Sequence, residues 1–158
     1  MNEVNRINKI NYYLDIAETV SERSTCIKRQ YGAIIVNNDE IISTGFNGAP
    51  RKIEDCLSRK YCLREKCERG TDYCNCLSVH AEMNAIISAA RKDLLDSTLY
   101  LVGKEHDKYI ENPDCCKLCR RIIKNAGIKN VIIRINKTNI AVIDTDDWDM
   151  AEDFIGNY

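Results

Sequence analysis

Two short stretches of this chain carry residue types that bind metals and move protons. His80-Ala81-Glu82 sets an imidazole two residues before a carboxylate, and Cys115-Cys116-Lys117-Leu118-Cys119 brings three thiols together. One imidazole and two thiolates form a donor set suited to zinc, and three protein ligands leave the fourth tetrahedral position open. Two thiolates balance the metal's double charge, and a water held at the open position becomes acidic enough to give hydroxide near neutral pH. Glu82 is the nearby carboxylate that can shuttle protons. Residues three apart share a helix face, so Cys116 and Cys119 can hold one metal. Cys115 and Cys119, four apart, share a face as well, and periodicity leaves that choice open. His80 and Glu82, two apart, point to nearly opposite sides of a regular helix, roughly 200° around. Both reach one metal only at the irregular start of a helix.

The elements that must position these residues read as follows. Residues 4–22 place Ile7, Ile10, Tyr13 or Leu14, and Ala17 on one face of an opening amphipathic helix. "YGAIIVNNDEIISTGFNGAP" reads as two strands joined at Asn37-Asn38-Asp39, a hairpin turn. Residues 52–77, rich in charge and cysteine and poor in aliphatics, read as a long loop insertion. "SVHAEMNAIISAARKD" reads as a helix with Ser78 as N-cap and Ala85, Ile86, Ala89 and Ala90 as its packing face. "STLYLVG" and "IKNVIIRI" are nearly continuous apolar runs, expected as strands buried on both faces. Between them "CKLCRRIIKNAG" is a helix closed by Gly127. "NIAVID" is a last short strand, and "DTDDWDMAEDFI" a terminal helix with an acidic first turn. Alternating strands and helices imply an α/β layer architecture, mostly parallel at its centre, with a leading hairpin. Both chemical clusters then fall where a helix begins.

The 158 residues suit one domain, and 44% hydrophobic with 30% charged residues suits a packed core. With 23 basic and 24 acidic residues the charge is balanced, which argues against a nucleic-acid partner. The first twenty residues carry charges throughout and lack the apolar region of a signal peptide, and no run could span a bilayer. The expectation is a soluble, cytoplasmic protein with no membrane partner. There are nine cysteines: Cys26, Cys56, Cys62, Cys67, Cys74, Cys76, Cys115, Cys116 and Cys119. An odd count without a secretory signal disfavours a disulfide framework and leaves buried thiols or metal ligands.

H-A-E followed by C-x-x-C resembles the signature of the zinc deaminases. "STCIKRQYGAIIV", "IISTGFNGAP", "VHAEMNAI", "STLYLVG", "CKLC" and "NAGIKNVIIR" resemble, in order, blocks of the deoxycytidylate (dCMP) deaminase family, from about Ser24 to Asp144. The resemblance implies an α/β fold, the cytidine deaminase-like αβα sandwich around a five-stranded mixed sheet. It implies a single domain over residues 1–158 with a cysteine-rich insertion at about 52–77. It implies a nucleotide substrate and hydrolysis of dCMP to dUMP and ammonia, supplying dUMP for thymidylate synthesis. His80, Cys116 and Cys119 would hold the catalytic zinc. Glu82 would take a proton from the zinc-bound water, protonate ring N3 and later protonate the leaving amine, while hydroxide attacks C4. Members commonly form homo-oligomers, hexamers among them, and many respond to dCTP and dTTP as effectors. The family usually carries proline immediately before its first ligand cysteine. Here Pro113 stands three residues before Cys116, and Cys115 takes the proline's place. Spacing to the following helix favours Cys116 as ligand, with Cys115 a bystander thiol.

Other residues carry a bland reading beside a sharp one. Lys28 and Arg29 are a solvated pair before a strand, or the phosphate contact that this segment makes in the family. The family typically has arginine first, and Lys28 offers a point charge in place of a bidentate fork. Ser24 adds a hydroxyl donor. Asn47 is a turn residue or a hydrogen-bond partner of the sugar. In the loop, Cys56, Cys62, Cys67, Cys74 and Cys76 are reduced thiols by default. The alternative is a second, structural zinc drawing four ligands from these five. Competing functions are a deaminase of another cytosine nucleotide or nucleoside, a tRNA-adenosine deaminase, or a zinc-stabilised binding module with a fourth protein ligand closing the site.

Overall fold

The computed structural model describes residues 5–65, 76–111 and 113–150. Helix α1 spans Lys9–Ser21, starting where the Asn8 side chain accepts from the Asn11 N–H at 2.9 Å. Ile7, expected on the helix face, therefore lies outside α1 and is 49% exposed, while Tyr13, Leu14 and Ala17 form the buried face. Strands β1 (Arg29–Asn37) and β2 (Glu40–Phe46) form the expected antiparallel hairpin. Asn38 and Asp39, at φ 48° and 65°, supply the two left-handed turn residues. A short helix α2 (Cys56–Arg59) follows, then α3 (Ala81–Ile87) and α4 (Arg91–Leu94). Strand β3 (Thr98–Glu105), the two-residue β4 (Lys108–Tyr109), helix α5 (Lys117–Ala126), β5 (Asn130–Arg134) and β6 (Ile140–Asp144) complete the order.

The sheet runs β2-β1-β3-β5-β6, with β4 paired to the end of β3. Only β3 and β5 lie parallel among these neighbours; β1–β2, β1–β3 and β5–β6 are antiparallel. The expected mostly parallel centre is thus a mixed sheet. The reason is the hairpin: β2 and β3 flank β1 on opposite sides, so the helical crossover between them does not create a parallel pair.

Period-two alternation divides the apolar strand residues between the two faces. Ile34, Val36, Tyr100, Val102 and Ile132 pack with Tyr13, Leu14 and Ala17 of α1. Ala33, Ile35, Leu99, Leu101, Val131 and Ile133 pack on the other face with Ala81 and Ala85 of α3 and Cys119 and Ile123 of α5. β3 is buried on both faces as its composition implies. On the α1 face, the largely buried Arg134 guanidinium meets the carboxylates of Asp15 and Glu18, each at 2.8 Å.

Two local expectations change. The helix expected from a Ser78 cap is two helices, because Val79 is held extended by reciprocal backbone bonds to Gly48 (2.8 and 3.1 Å). His80 becomes the N-cap, and Ala90 is exposed as the cap of α4, while Ala85, Ile86 and Ala89 keep their place in the packing. Of the terminal helix expected from Asp144, the described residues form one 3₁₀ turn, Thr145–Asp147, in which Asp144 accepts from the Asp146 N–H. The rest of that segment, residues 151–158, lies outside the described residues.

Candidate metal centre and active site

Helices α3 and α5 begin side by side on one face of the sheet, and their first residues meet. His80 has extended backbone (φ −70°, ψ 154°) and makes no capping bond with its side chain, which leaves the imidazole free to turn toward α5. Its Nδ1 lies 3.4 Å from Cys116 Sγ and 3.3 Å from Cys119 Sγ. The three ligand atoms all fall within 4.8 Å of one another. His80 outside the helix and Glu82 in its first turn satisfy the angular constraint that a regular helix would violate.

Cys116 caps α5, and its sulfur accepts the Cys119 N–H at 3.3 Å. Amide donors and the positive end of the helix favour an ionised sulfur there. Hydrogen bonding with Cys119 and His80 outweighs burial, so the Cys116 thiol is pushed down. Cys119, its partner in the pair, is pushed up by Cys116 and by burial. A dication among these atoms would stabilise both thiolates. The donor set therefore fits zinc. Among the described residues no fourth His, Cys, Asp or Glu joins the cluster, so these residues leave the fourth tetrahedral position to a water or substrate. Cys115 is not part of the cluster. It is 4% exposed, and burial with the neighbouring Glu82 carboxylate pushes its thiol well up.

Glu82 is 5% exposed. Burial pushes its carboxyl up, while its own backbone N–H, the nearby His80 and the Cys115 thiol work in the opposite direction. The β2 end holds α3 in place: Asn84 Nδ2 donates to Phe46 O at 2.8 Å and Ser43 Oγ to Ala85 O at 2.7 Å. In "GFNG", Gly48 pairs with Val79 and so fixes where His80 stands.

The residues expected at the nucleotide separate into different roles. Asn47 is 6% exposed; its Oδ1 accepts from Tyr31 N–H at 2.8 Å and its Nδ2 donates to Arg29 O at 3.0 Å, tying the end of β2 to β1. Ser24, buried, accepts the Cys26 N–H at 3.2 Å within the 24–29 loop. Lys28 is exposed, and Arg29 is half-buried with its Nε 3.4 Å from Glu105 Oε1. Tyr31 was not foreseen. It stands two residues beyond Arg29 on the same strand face; burial pushes its hydroxyl up, the Arg29 charge works against this, and the Glu82 charge adds to it. The spacing i, i+2 from Arg29 was the available signal.

In the loop, Cys56 is half-buried; burial raises its thiol, and the nearby Cys26, Cys62 and Cys76 raise it further. Cys26 lies outside the loop, and its approach to Cys56 had no sequence signal. Cys67 and Cys74 fall outside the described residues. Among the described residues these cysteines form no group of three at the distances seen for His80, Cys116 and Cys119. No helix among the described residues is long and apolar enough to cross a membrane.

Residues 7–135 match the family described as the cytidine and deoxycytidylate deaminase zinc-binding region. The chain is 31% identical over 125 residues to the deoxycytidylate deaminase of Mycobacterium phage D29, covering 77% of this chain and 90% of that protein. It is 32% identical over 126 residues to the deoxycytidylate deaminase of Schizosaccharomyces pombe, covering 77% of this chain and 35% of that longer protein. The solved dCMP deaminase from cyanophage S-TIM5, in complex with dCMP and dUMP, has a TM-score of 0.59 over 82% of this chain and 84% of that one, at 25% identity. His80, Glu82, Cys116 and Cys119 all fall inside the matched range. This chain belongs to the cytidine and deoxycytidylate deaminase family, and His80, Cys116 and Cys119 are positioned to bind its zinc.

Proposed function

We propose that this chain hydrolyses dCMP to dUMP and ammonia, supplying dUMP for thymidylate synthesis. The observation that carries the reading is the open His80–Cys116–Cys119 cluster beside the buried carboxylate of Glu82. Relatives named deoxycytidylate deaminase and a structure holding dCMP and dUMP support the substrate. A bound zinc supplies Lewis acidity and a water that ionises near neutral pH. Glu82 would pass a water proton to ring N3, then take the proton of the hydroxyl formed at C4 as the carbonyl forms and pass it to the departing amine, so one carboxylate serves both acid and base steps. Arg29, on the same strand face as Tyr31, is the stronger candidate for the phosphate, with Lys28 beside it. Ser24 and Asn47 hold the segment that presents them, and Asn47 keeps a second Nδ2 hydrogen for the sugar. The reading includes a homo-oligomer, a hexamer among the options, with dCTP and dTTP as effectors, acting in the cytoplasm. The test is ammonia release from dCMP compared with cytidine and dCTP. Release from dCMP in clear preference supports the reading, and release from cytidine alone overturns the substrate.

A structural zinc in the loop is a second reading. The approach of Cys56 to Cys26, Cys62 and Cys76 favours it, and Cys67 and Cys74 complete the expected ligand pool. Zinc analysis of reduced protein tests it. One zinc per chain surviving in His80→Ala supports a structural site, and loss of all zinc in that variant leaves reduced thiols.

A further inference from the structure

The rim of the sheet beyond the metal cluster carries an ion pair whose acidic member no step above uses. In the β1–β3 ladder Ala33 stands opposite Leu101, Tyr31 opposite Gly103, and Arg29 opposite Glu105. Directly opposed residues share a sheet face, and Ala33 and Leu101 pack with Ala81 and Ala85 of α3 and Cys119 of α5. Arg29 and Glu105 therefore lie on the face that carries the metal cluster, further along the same ladder. Gly103 leaves room for the Tyr31 ring, since a Cβ there would stand 2.5 Å from Tyr31 Cε1. Tyr31 thus fills the step between the core and the pair. At the rim, Arg29 Nε lies 3.4 Å from Glu105 Oε1, with both side chains half-buried. Lys104, the neighbour of Glu105 in β3, turns to the other face and pairs with Glu18.

We propose that Glu105 is a specificity-determining residue: with Arg29 it makes the phosphate end of the site accept one phosphate and reject a second. This rests on the contact between Arg29 and the substrate phosphate proposed above. The carboxylate holds the guanidinium through Nε, and a phosphate takes its terminal nitrogens. The Arg29 charge is then shared between a carboxylate and a monophosphate. A second phosphate finds no further cation in this pair and brings like charge toward Glu105. Lys108 stands opposite Glu105 on β4, but it is exposed, and solvent screens its charge. One extra negative charge at roughly 6 Å from a carboxylate is worth about three- to tenfold at a half-exposed rim.

The experiment compares ammonia release from dCMP and from dCDP in the wild type, Glu105→Gln and Glu105→Asp, with zinc content and urea midpoint recorded for each. dCDP is the probe because dCTP is read above as an effector. The ratio of kcat/KM for dCDP to that for dCMP should rise about three- to tenfold in Glu105→Gln. Glu105→Asp keeps the charge and should hold the ratio within about twofold of wild type. A wild type that turns over dCDP as readily as dCMP, a ratio unchanged in Glu105→Gln, an aspartate variant as permissive as glutamine, or loss of zinc or fold in Glu105→Gln each overturns the role. Arg29→Gln tests the underlying contact separately. Equal losses there for dCMP and deoxycytidine overturn the phosphate contact and the role together. A loss confined to dCMP, with the ratio unchanged in Glu105→Gln, overturns the role alone. No ammonia from dCMP with the wild type overturns the deaminase reading and the role with it.

Discussion

Gly45 offers a direct test of how the fold holds the site. It lies in β2, opposite Ala33 of β1, beneath α3. A Cβ added there would stand 2.3 Å from Ala81 O, 2.3 Å from Ala85 N and 2.9 Å from Asn84 C. All three are backbone atoms of the helix, so no side chain can rotate away. Ordinary contact begins near 3.4 Å, and α3 must lift by about 1.1 Å to reach it. Lifting stretches the Asn84–Phe46 and Ser43–Ala85 bonds out of hydrogen-bond range. Overpacking costs about 1–3 kcal/mol and each lost bond about 1 kcal/mol, so Gly45→Ala should destabilise by about 3–5 kcal/mol. The same lift displaces His80 and Glu82 relative to α5, and a misplacement near 1 Å costs about 10²-fold in turnover. Urea denaturation gives the stability, and ammonia release with zinc analysis gives the activity. Thr44→Ala, on the exposed neighbouring position, is the control. If Gly45→Ala loses less than about 0.5 kcal/mol and keeps kcat within about threefold, the helix is not seated on β2 as described.

Glu82→Gln should keep its zinc and lose about 10²–10⁴-fold or more in kcat; loss of zinc in proportion would make Glu82 a ligand. Cys116→Ser should lose zinc and activity, whereas Cys115→Ser should keep its metal, and the reverse result would move the ligand count by one residue. Arg29→Gln should weaken dCMP about 10–150-fold more than deoxycytidine, the worth of a charge-assisted bond, and equal losses for both would end the phosphate role. Burial pushes the Glu18 carboxyl up, but hydrogen bonds from Lys104, Tyr109 and Arg134 outweigh it and the net shift is down. Its stabilisation is therefore fully present above the unfolded carboxyl value near 4.5 and is lost as pH falls through the lower folded value. Glu18→Gln should cost about 2 kcal/mol at pH 7, because Arg134 keeps Asp15, and urea midpoints should show the gap closing toward pH 3. A gap that stays constant to pH 3 would place its source elsewhere.

Residue types and spacing alone pointed to a metal cluster of His80 with two of Cys115, Cys116 and Cys119, a nearby carboxylate, the leading hairpin and the two apolar strands. These are local signals: a turn of left-handed residues, an unbroken apolar run, a pair of cysteines three apart before a helix. Gly127 closing α5 at φ 85° belongs with them. Tertiary structure decided what depends on distant partners. The Gly48–Val79 pairing moved the N-cap of α3 from Ser78 to His80, and no local pattern could reveal a bond between residues 31 positions apart. Strand order made the sheet mixed, because β1 sits between β2 and β3. Periodicity left Cys115 and Cys116 equal as ligands; packing separated them, turning one sulfur to His80 and burying the other in the core. Asn47 likewise became a tie between two strands once Tyr31 and Arg29 offered their backbone groups to it. Composition fixed which atoms could do chemistry, and long-range contacts fixed which of those atoms meet.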